Sequence, residues 1–193
     1  MLANSANCRE LSRARERLSD QLKSNRLALA ELTEHSRVRE ILKQVIQTIA
    51  SQLKELERRL HGLVTALKPH LLDLDGVGAV IAGTLLAEVG DVQRFPNEDH
   101  FASYCGAAPV ERGSGQNSRM QVNPGGNRRL NRALHLVALV RLRVDERSKQ
   151  FVCKRIEAGK TKRAALRLLK TYIAREIFKT MSQPATLEPE SRP

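Results

Sequence analysis

The stretch from Val38 to Leu67, VREILKQVIQTIASQLKELERRLHGLVTAL, decides the fold class. Its apolar residues Val38, Leu42, Val45, Ile49, Leu53, Leu56, Leu60, Leu63 and Leu67 follow steps of four and three with one stutter, which is the period of a helical seam and not of a strand. Arg, Lys and Glu fill the intervening positions, and no Gly or Pro interrupts before Gly62. Working upstream, Leu11, Leu18, Leu22, Leu29 and Leu32 recur at the same spacing. A weak break at Thr33 to Ser36 separates the two series and admits either a kink or a hairpin turn. Residues 1–70 therefore read as a coiled coil or helical hairpin suited to self-association.

Downstream, Pro69 closes the seam and Leu71-Leu72-Asp73-Leu74-Asp75-Gly76-Val77-Gly78-Ala79-Val80-Ile81-Ala82 changes its character. Gly76-Val77-Gly78 with Ala82 has the form of a helix-hairpin-helix turn, in which glycines let the backbone approach a phosphate at the next helix's start. The acidic residues Asp73, Asp75, Glu88 and Asp91 oppose that use, so a structural tight turn stands beside it. A dinucleotide fingerprint fails because Ile81 occupies the third glycine position. The next helix ends near Gly90, and Phe95-Pro96-Asn97 turns the chain into a short one. Gly106 to Gly126, with five glycines and two prolines, reads as an irregular loop with room for a short β-hairpin.

Asn127 is a good N-cap for a helix from Arg128 to about Val144. Leu130, Ala133, Leu134, Val137 and Val140 lie on one side of it. Arg128, Arg132, His135 and Arg143 form a basic stripe on the other, interrupted by Leu136 and Leu139. Gly159-Lys160-Thr161 is not a P-loop, because Lys154 stands where its first glycine belongs. Thr161 instead caps a last helix, with Leu166, Leu169, Ile173, Ile177 and Thr180 inside and Lys162, Arg163, Arg167 and Lys170 outside. Residues 182–193, with three prolines and no apolar period, read as a disordered tail.

A chain of 193 residues that is 41% hydrophobic and 28% charged is sized and composed to bury a core. No apolar run is long enough for a membrane span, no secretory leader is evident, and a cytoplasmic protein is expected. Cys8, Cys105 and Cys153 are too scattered for a disulfide framework or a zinc site. The net charge of +12 is unevenly spread: residues 1–70 carry +5, residues 71–110 carry −5, residues 111–182 carry +13 and the tail −1. Such asymmetry points to a face that meets polyanions, with nucleic acid ahead of a membrane.

Read in order, Leu74-Asp75-Gly76-Val77-Gly78, Gly90-Asp91-Val92-Gln93-Arg94-Phe95, Phe101-Ala102-Ser103-Tyr104-Cys105-Gly106-Ala107-Ala108-Pro109, Gly113-Ser114-Gly115 and Gly125-Gly126-Asn127-Arg128-Arg129-Leu130 form a specific series. It resembles the C-terminal domain of the insertion-sequence 110/116/902 transposases, RNA-guided serine-containing DNA recombinases. The heptad region resembles the coiled coil preceding that domain, so the likeness covers about residues 9–181. The resemblance implies transposition or recombination through a serine nucleophile, matched here by Ser114, with Ser118 as the fallback. It also implies a structured guide RNA as partner, and a metal-binding RuvC-like domain before the coiled coil. This chain begins at the coiled coil, so no metal ligands are expected in it. Mg is implied only for the missing domain, and activity of the chain alone is not expected.

The expected fold is mainly α-helical: helices over 1–70, then a compact helical domain over 71–181 with the turn at Gly76 to Gly78 and a serine-bearing loop over 106–126. A serine ester would store the phosphodiester bond for rejoining. Arg112, Arg119, Arg128 and Arg132 could stabilise the developing phosphorane charge. Phosphate contact is assigned to Arg128, Arg129 and Arg132, with Lys162, Arg163, Arg167, Gly76 and Gly78 as further candidates. The expected partners are DNA and a second copy of the chain through the helical seam. The competing expectation is a non-catalytic, oligomeric DNA- or RNA-binding protein acting as a truncated regulator of transposition.

Overall fold

Two long helices, α1 (Leu2–Glu31) and α2 (Arg37–Leu67), fold back on each other as a hairpin in the computed structural model, which describes residues 2–33, 37–112, 119–122 and 125–184. The break after Leu32 is thus a turn, not a kink. Arg39 closes it by donating from Nη1 to the carbonyls of Leu29 and Leu32, which have no further helical turn to accept. Midway along, Arg15 pairs with Glu57 at 2.8 Å.

A 3₁₀ turn at Pro69–Leu71 leads to α3 (Ala79–Val89), and a second at Val92–Arg94 leads to α4 (Glu98–Tyr104). Then come the strands β1 (Pro109–Arg112) and β2 (Arg119–Val122), followed by α5 (Arg128–Val144), α6 (Glu146–Glu157) and α7 (Lys162–Ser182). The caps are those the side chains predict. Asn97 accepts from the backbone of Asp99 and His100, Asn127 from Arg129 and Leu130, and Thr161 from Ala164. α6 has a fourth, Asp145, which accepts from Arg147 and Ser148.

The mainly helical class stands, and the short β-hairpin for which the glycine-rich segment had room is present. The residues expected to be irregular there include an antiparallel pair in which Pro109 faces Val122 and Arg112 faces Arg119. Among the described residues no helix is long and apolar enough to cross a membrane.

α3 is the centre of the molecule. Ala82, Gly83, Leu85, Leu86, Ala87 and Val89 are all buried, because α1, α2 and α5 pack around it. Gly83 admits α2: a Cβ there would lie 2.8 Å from Leu60 Cδ2, closer than two carbons can approach. At the C-terminal end of α3, Arg9 donates to Ala87 O in the last turn, and Ser5 Oγ adds a bond to Leu86 O, which also accepts from the Gly90 N–H. Cys8 and Val64 belong to the same apolar cluster as Phe101, Leu134 and Ile177. The boundary expected near residue 70 therefore runs through one continuous core. The expected tail at 182–193 begins with the last residue of α7, and residues 185–193 lie outside the described residues.

Candidate nucleic-acid interface

The helix-hairpin-helix-like turn is built against the protein on one side. Gly76 has φ +81°, and a Cβ on it would sit 3.1 Å from Val137 O and 3.3 Å from Val140 Cβ of α5. Arg141, only 8% exposed, holds the turn by donating from Nε to Asp75 O at 2.8 Å, while its Nη1 meets Glu176 of α7 at 2.6 Å. Gly78 faces open space at the start of α3. One glycine thus serves helix packing and the other leaves room for an outside group.

The serine-bearing loop departs from a tightly tied root. Asn127, which caps α5, donates its backbone N–H to Tyr104 O at 2.7 Å and its side-chain amide to Glu88 at 2.8 Å. Asn131, one turn on, donates to Gly106 O at 2.6 Å, and Thr171 of α7 donates to Ala107 O at 2.8 Å. The two feet of the loop touch through glycine alone: a Cβ on Gly126 would lie 2.4 Å from Gly106 Cα and 2.6 Å from Gly106 N. Gly106 itself has φ +67°, the left-handed region that glycine adopts without strain. Above this root β1 and β2 pair, and Arg112 and Arg119 form the pair nearest the tip. Ser114 and Ser118 fall between them and lie outside the described residues.

Beside the root, α5 and the first turns of α7 enclose an open groove of about 460 Å³ lined by Asn131, His135, Lys162, Arg163, Leu166, Arg167 and Lys170. The farther cations of α7 are paired, Arg175 with Asp99 and Glu98 and Lys179 with Glu98. Among the described residues Lys162, Arg163, Arg167 and Lys170 have no carboxylate partner. Lys162 and Arg163 also lie in the first turn of α7, where the positive end of the helix dipole adds to their field. Lys170, expected outside, is 8% exposed and donates from Nζ to Asn131 Oδ1 at 2.6 Å. The helical period explains the correction: Lys170 stands three and four residues before the buried Ile173 and Ala174, so it shares their face at its edge. Burial lowers its pKa, and Arg167 pushes the same way.

The α5 arginines divide. Arg129 bridges Glu16 of α1 at 2.9 Å and Glu88 of α3 at 3.3 Å, so part of its charge is consumed inside the protein. Arg132 lies 4.0 Å from Glu16 with its side chain 75% exposed. Arg128 is exposed and has no carboxylate partner among the described residues. The structure thus gathers Lys162, Arg163 and Arg167 with Lys170 and His135, and turns Arg129 and Arg132 toward α1. Sequence reasoning passes over Asn131 and Arg141, and reads Lys170 as an outside cation and Glu88 as one of an acidic run. For Asn131 and Lys170 the helical period was an available signal. Glu88 and Arg141 depend on contacts distant in the chain.

Cys105 lies fully buried beneath the root, and desolvation pushes its thiol up to about 12, with Lys170 pulling weakly the other way. An unfolded thiol ionises near its ordinary 9.0, so between that value and about 12 the folded state binds more protons. The stability from this thiol is complete below pH 9 and is lost as pH rises toward 12. Lys170, with its lowered pKa, contributes the opposite slope as pH approaches 10.5. Comparing wild type with Cys105→Ala cancels that background. The stability advantage of wild type should shrink by about 1 kcal/mol between pH 9 and pH 10 in urea titrations. A constant difference would mean that the thiol is not buried.

Among the described residues no group of three His, Cys, Asp or Glu side chains is placed to hold a metal ion. The metal implied by the family resemblance therefore has no ligand set among the described residues.

The helical domain thus carries, beside a rooted hairpin, a cationic groove whose lysines and arginines have no carboxylate partner among the described residues. Residues 68–153, from just before the first 3₁₀ turn into α6, match the Transposase IS116/IS110/IS902 family, and this part of the chain carries that family's domain. The chain is 36% identical over 133 residues to the "Insertion element IS110 uncharacterized 43.6 kDa protein" of Streptomyces coelicolor, covering 67% of this chain and 33% of that protein. It is 36% identical over 92 residues to the "Insertion element IS900 uncharacterized 42 kDa protein" of Mycobacterium paratuberculosis, covering 47% and 23%. A "Probable family 20 transposase" of Pseudomonas aeruginosa is 30% identical over 81 residues, covering 41% and 24%. The chain thus spans a third or less of the length of these relatives.

Proposed function

We propose that this chain is the DNA-binding, serine-bearing portion of an insertion-sequence transposase, with Ser114 as the nucleophile of strand exchange. The observation that carries the reading is the loop root: glycine contact and four hydrogen bonds fix the feet of the Ser114 loop directly beside the cationic groove. In the proposed step Ser114 Oγ gives up its proton and forms an Oγ–P bond. The phosphodiester P–O bond to one deoxyribose oxygen breaks, and that oxygen leaves as a hydroxyl once protonated. Arg112 and Arg119, the strand pair nearest the loop tip, and Arg128 supply cations toward the charge on phosphorus. In this reading the chain by itself binds nucleic acid without cleaving it. Assembly through the hairpin is supported by Leu27, Val38, Ile41 and Val45, which are 40–63% exposed toward its far end.

A suicide DNA duplex whose leaving strand diffuses away after cleavage tests the reading. Supplied with a RuvC-like partner domain, wild type is expected to accumulate a protein–DNA adduct that Ser114→Ala abolishes. Absence of adduct from wild type under those conditions would favour the non-catalytic binder. An adduct that survives Ser114→Ala and vanishes in Ser118→Ala would move the nucleophile to Ser118.

A further inference from the structure

The groove between α5 and α7 is more specific than a basic surface, because its deepest cation is already buried. Lys170 is 8% exposed, and among the described residues its partner is the neutral Asn131 Oδ1. A buried ammonium normally faces a carboxylate or a full set of acceptors, since its desolvation is otherwise uncompensated. Among the described residues Asn131 Oδ1 is the side-chain acceptor that Lys170 Nζ reaches, and an open groove of about 460 Å³ adjoins the ammonium. Arg163 and Arg167 stand four residues apart on the same helix edge, a like-charge spacing that by itself disfavours the helix. Uncompensated burial and unrelieved repulsion in one place both point to an anion that completes the site.

Asn131 ties this site to the loop. Its Oδ1 accepts from Lys170 while its Nδ2 donates to Gly106 O, so the orientation of the amide is set by both partners. A group held by Lys170 is therefore two hydrogen bonds from the foot of the loop.

We propose that this groove holds a single phosphodiester of the bound strand between Lys170 and Arg167, and that Asn131 couples it to the root of the Ser114 loop at Gly106. The site rests on the nucleic-acid reading above; its cations Arg167 and Lys170 lie on α7, outside the residues matched by the family, while Asn131 lies within them. The same phosphodiester chemistry is offered by a DNA duplex and by a guide RNA, so the test carries both.

Fluorescence anisotropy of the full chain with a 24-base-pair DNA duplex, and separately with an RNA duplex of the same sequence, would be followed across a salt series. Lys170→Met and Arg167→Gln should each weaken binding about five- to tenfold irrespective of sequence and reduce the log–log salt slope by about one. An effect on the DNA duplex assigns the site to the DNA strand; an effect confined to RNA assigns it to a guide. Pyrophosphate should raise the melting temperature of wild type and not of Lys170→Met, a readout separate from nucleic acid. If Lys170→Met does not fold, Arg167→Gln, whose side chain is only half-buried, carries both measurements. Steep salt-dependent binding by wild type with both variants unchanged would overturn the groove assignment and leave the nucleic-acid reading standing. A wild-type chain that binds neither duplex would overturn both.

Discussion

Gly126→Ala is expected to destabilise the protein by about 3 kcal/mol and to lower its melting temperature by roughly 6–12 °C. The added Cβ would lie 2.4 Å from Gly106 Cα and 2.6 Å from Gly106 N. Both are backbone atoms, and neither can turn aside as the end of a flexible side chain would. Gly106 cannot retreat, because Asn131 holds its carbonyl at 2.6 Å and its own N–H is bonded to Ser103 O at 2.9 Å. Gly62→Ala provides the control. Gly62 lies within α2 with nothing within 4 Å of its added Cβ, so the same chemical change there should stabilise by about 0.5–1 kcal/mol through helix propensity. Differential scanning calorimetry of the two variants beside wild type decides the matter. Equal shifts would show that the two loop feet are not in contact.

Phe101→Ala should be the most damaging change in the apolar core, at about 3–5 kcal/mol. The side chain is fully buried and meets Phe95 edge-on at a ring separation of 5.3 Å and Phe178 at 5.6 Å. Its removal takes away apolar burial and both ring contacts, and it leaves a void between α4 and α7 that backbones already tied by Thr171 and Ala107 cannot collapse to fill. Phe101→Leu keeps much of the volume and should recover more than half of the loss. In urea unfolding the midpoint should fall with the slope unchanged. A loss below about 1 kcal/mol would contradict the packing described.

Local signals in the sequence located the helices well where period and caps agreed. The 38–67 seam, Asn127 before α5 and Thr161 before α7 each combine an apolar spacing with a side chain that satisfies open N–H groups. α6 went unread because its twelve residues, ERSKQFVCKRIE, offer few apolar positions, although Asp145 with Ser148 three residues later carried a cap signal. The fold-back of α1 onto α2 could not be read from Thr33 to Ser36, since a kink and a turn make similar local demands.

The site divides in the same way. The motif Phe101-Ala102-Ser103-Tyr104-Cys105-Gly106 marks the loop root, yet Phe101, Ala102 and Cys105 are fully buried and serve packing. Arg129 carries the charge expected of a phosphate contact, but Glu16, more than a hundred residues earlier in the chain, reaches it first. Sequence reading puts Lys170 outside although the helical period places it at the edge of the buried face, and the packing of α5 against α7 puts it beside the groove.

The way α1 is joined to α3 has a mechanical consequence. Ser5 and Arg9 grip the end of α3, Cys8 is sealed among its apolar neighbours, and the hairpin reaches about 45 Å at the helical rise. These ties at its base mean that a load on the tip of the hairpin is expected to be passed to α3 and, through Glu88 and Asn127, to the foot of the serine loop. A rotation of a few degrees at the base sweeps several ångströms at the tip, and the reverse holds when the tip is pinned.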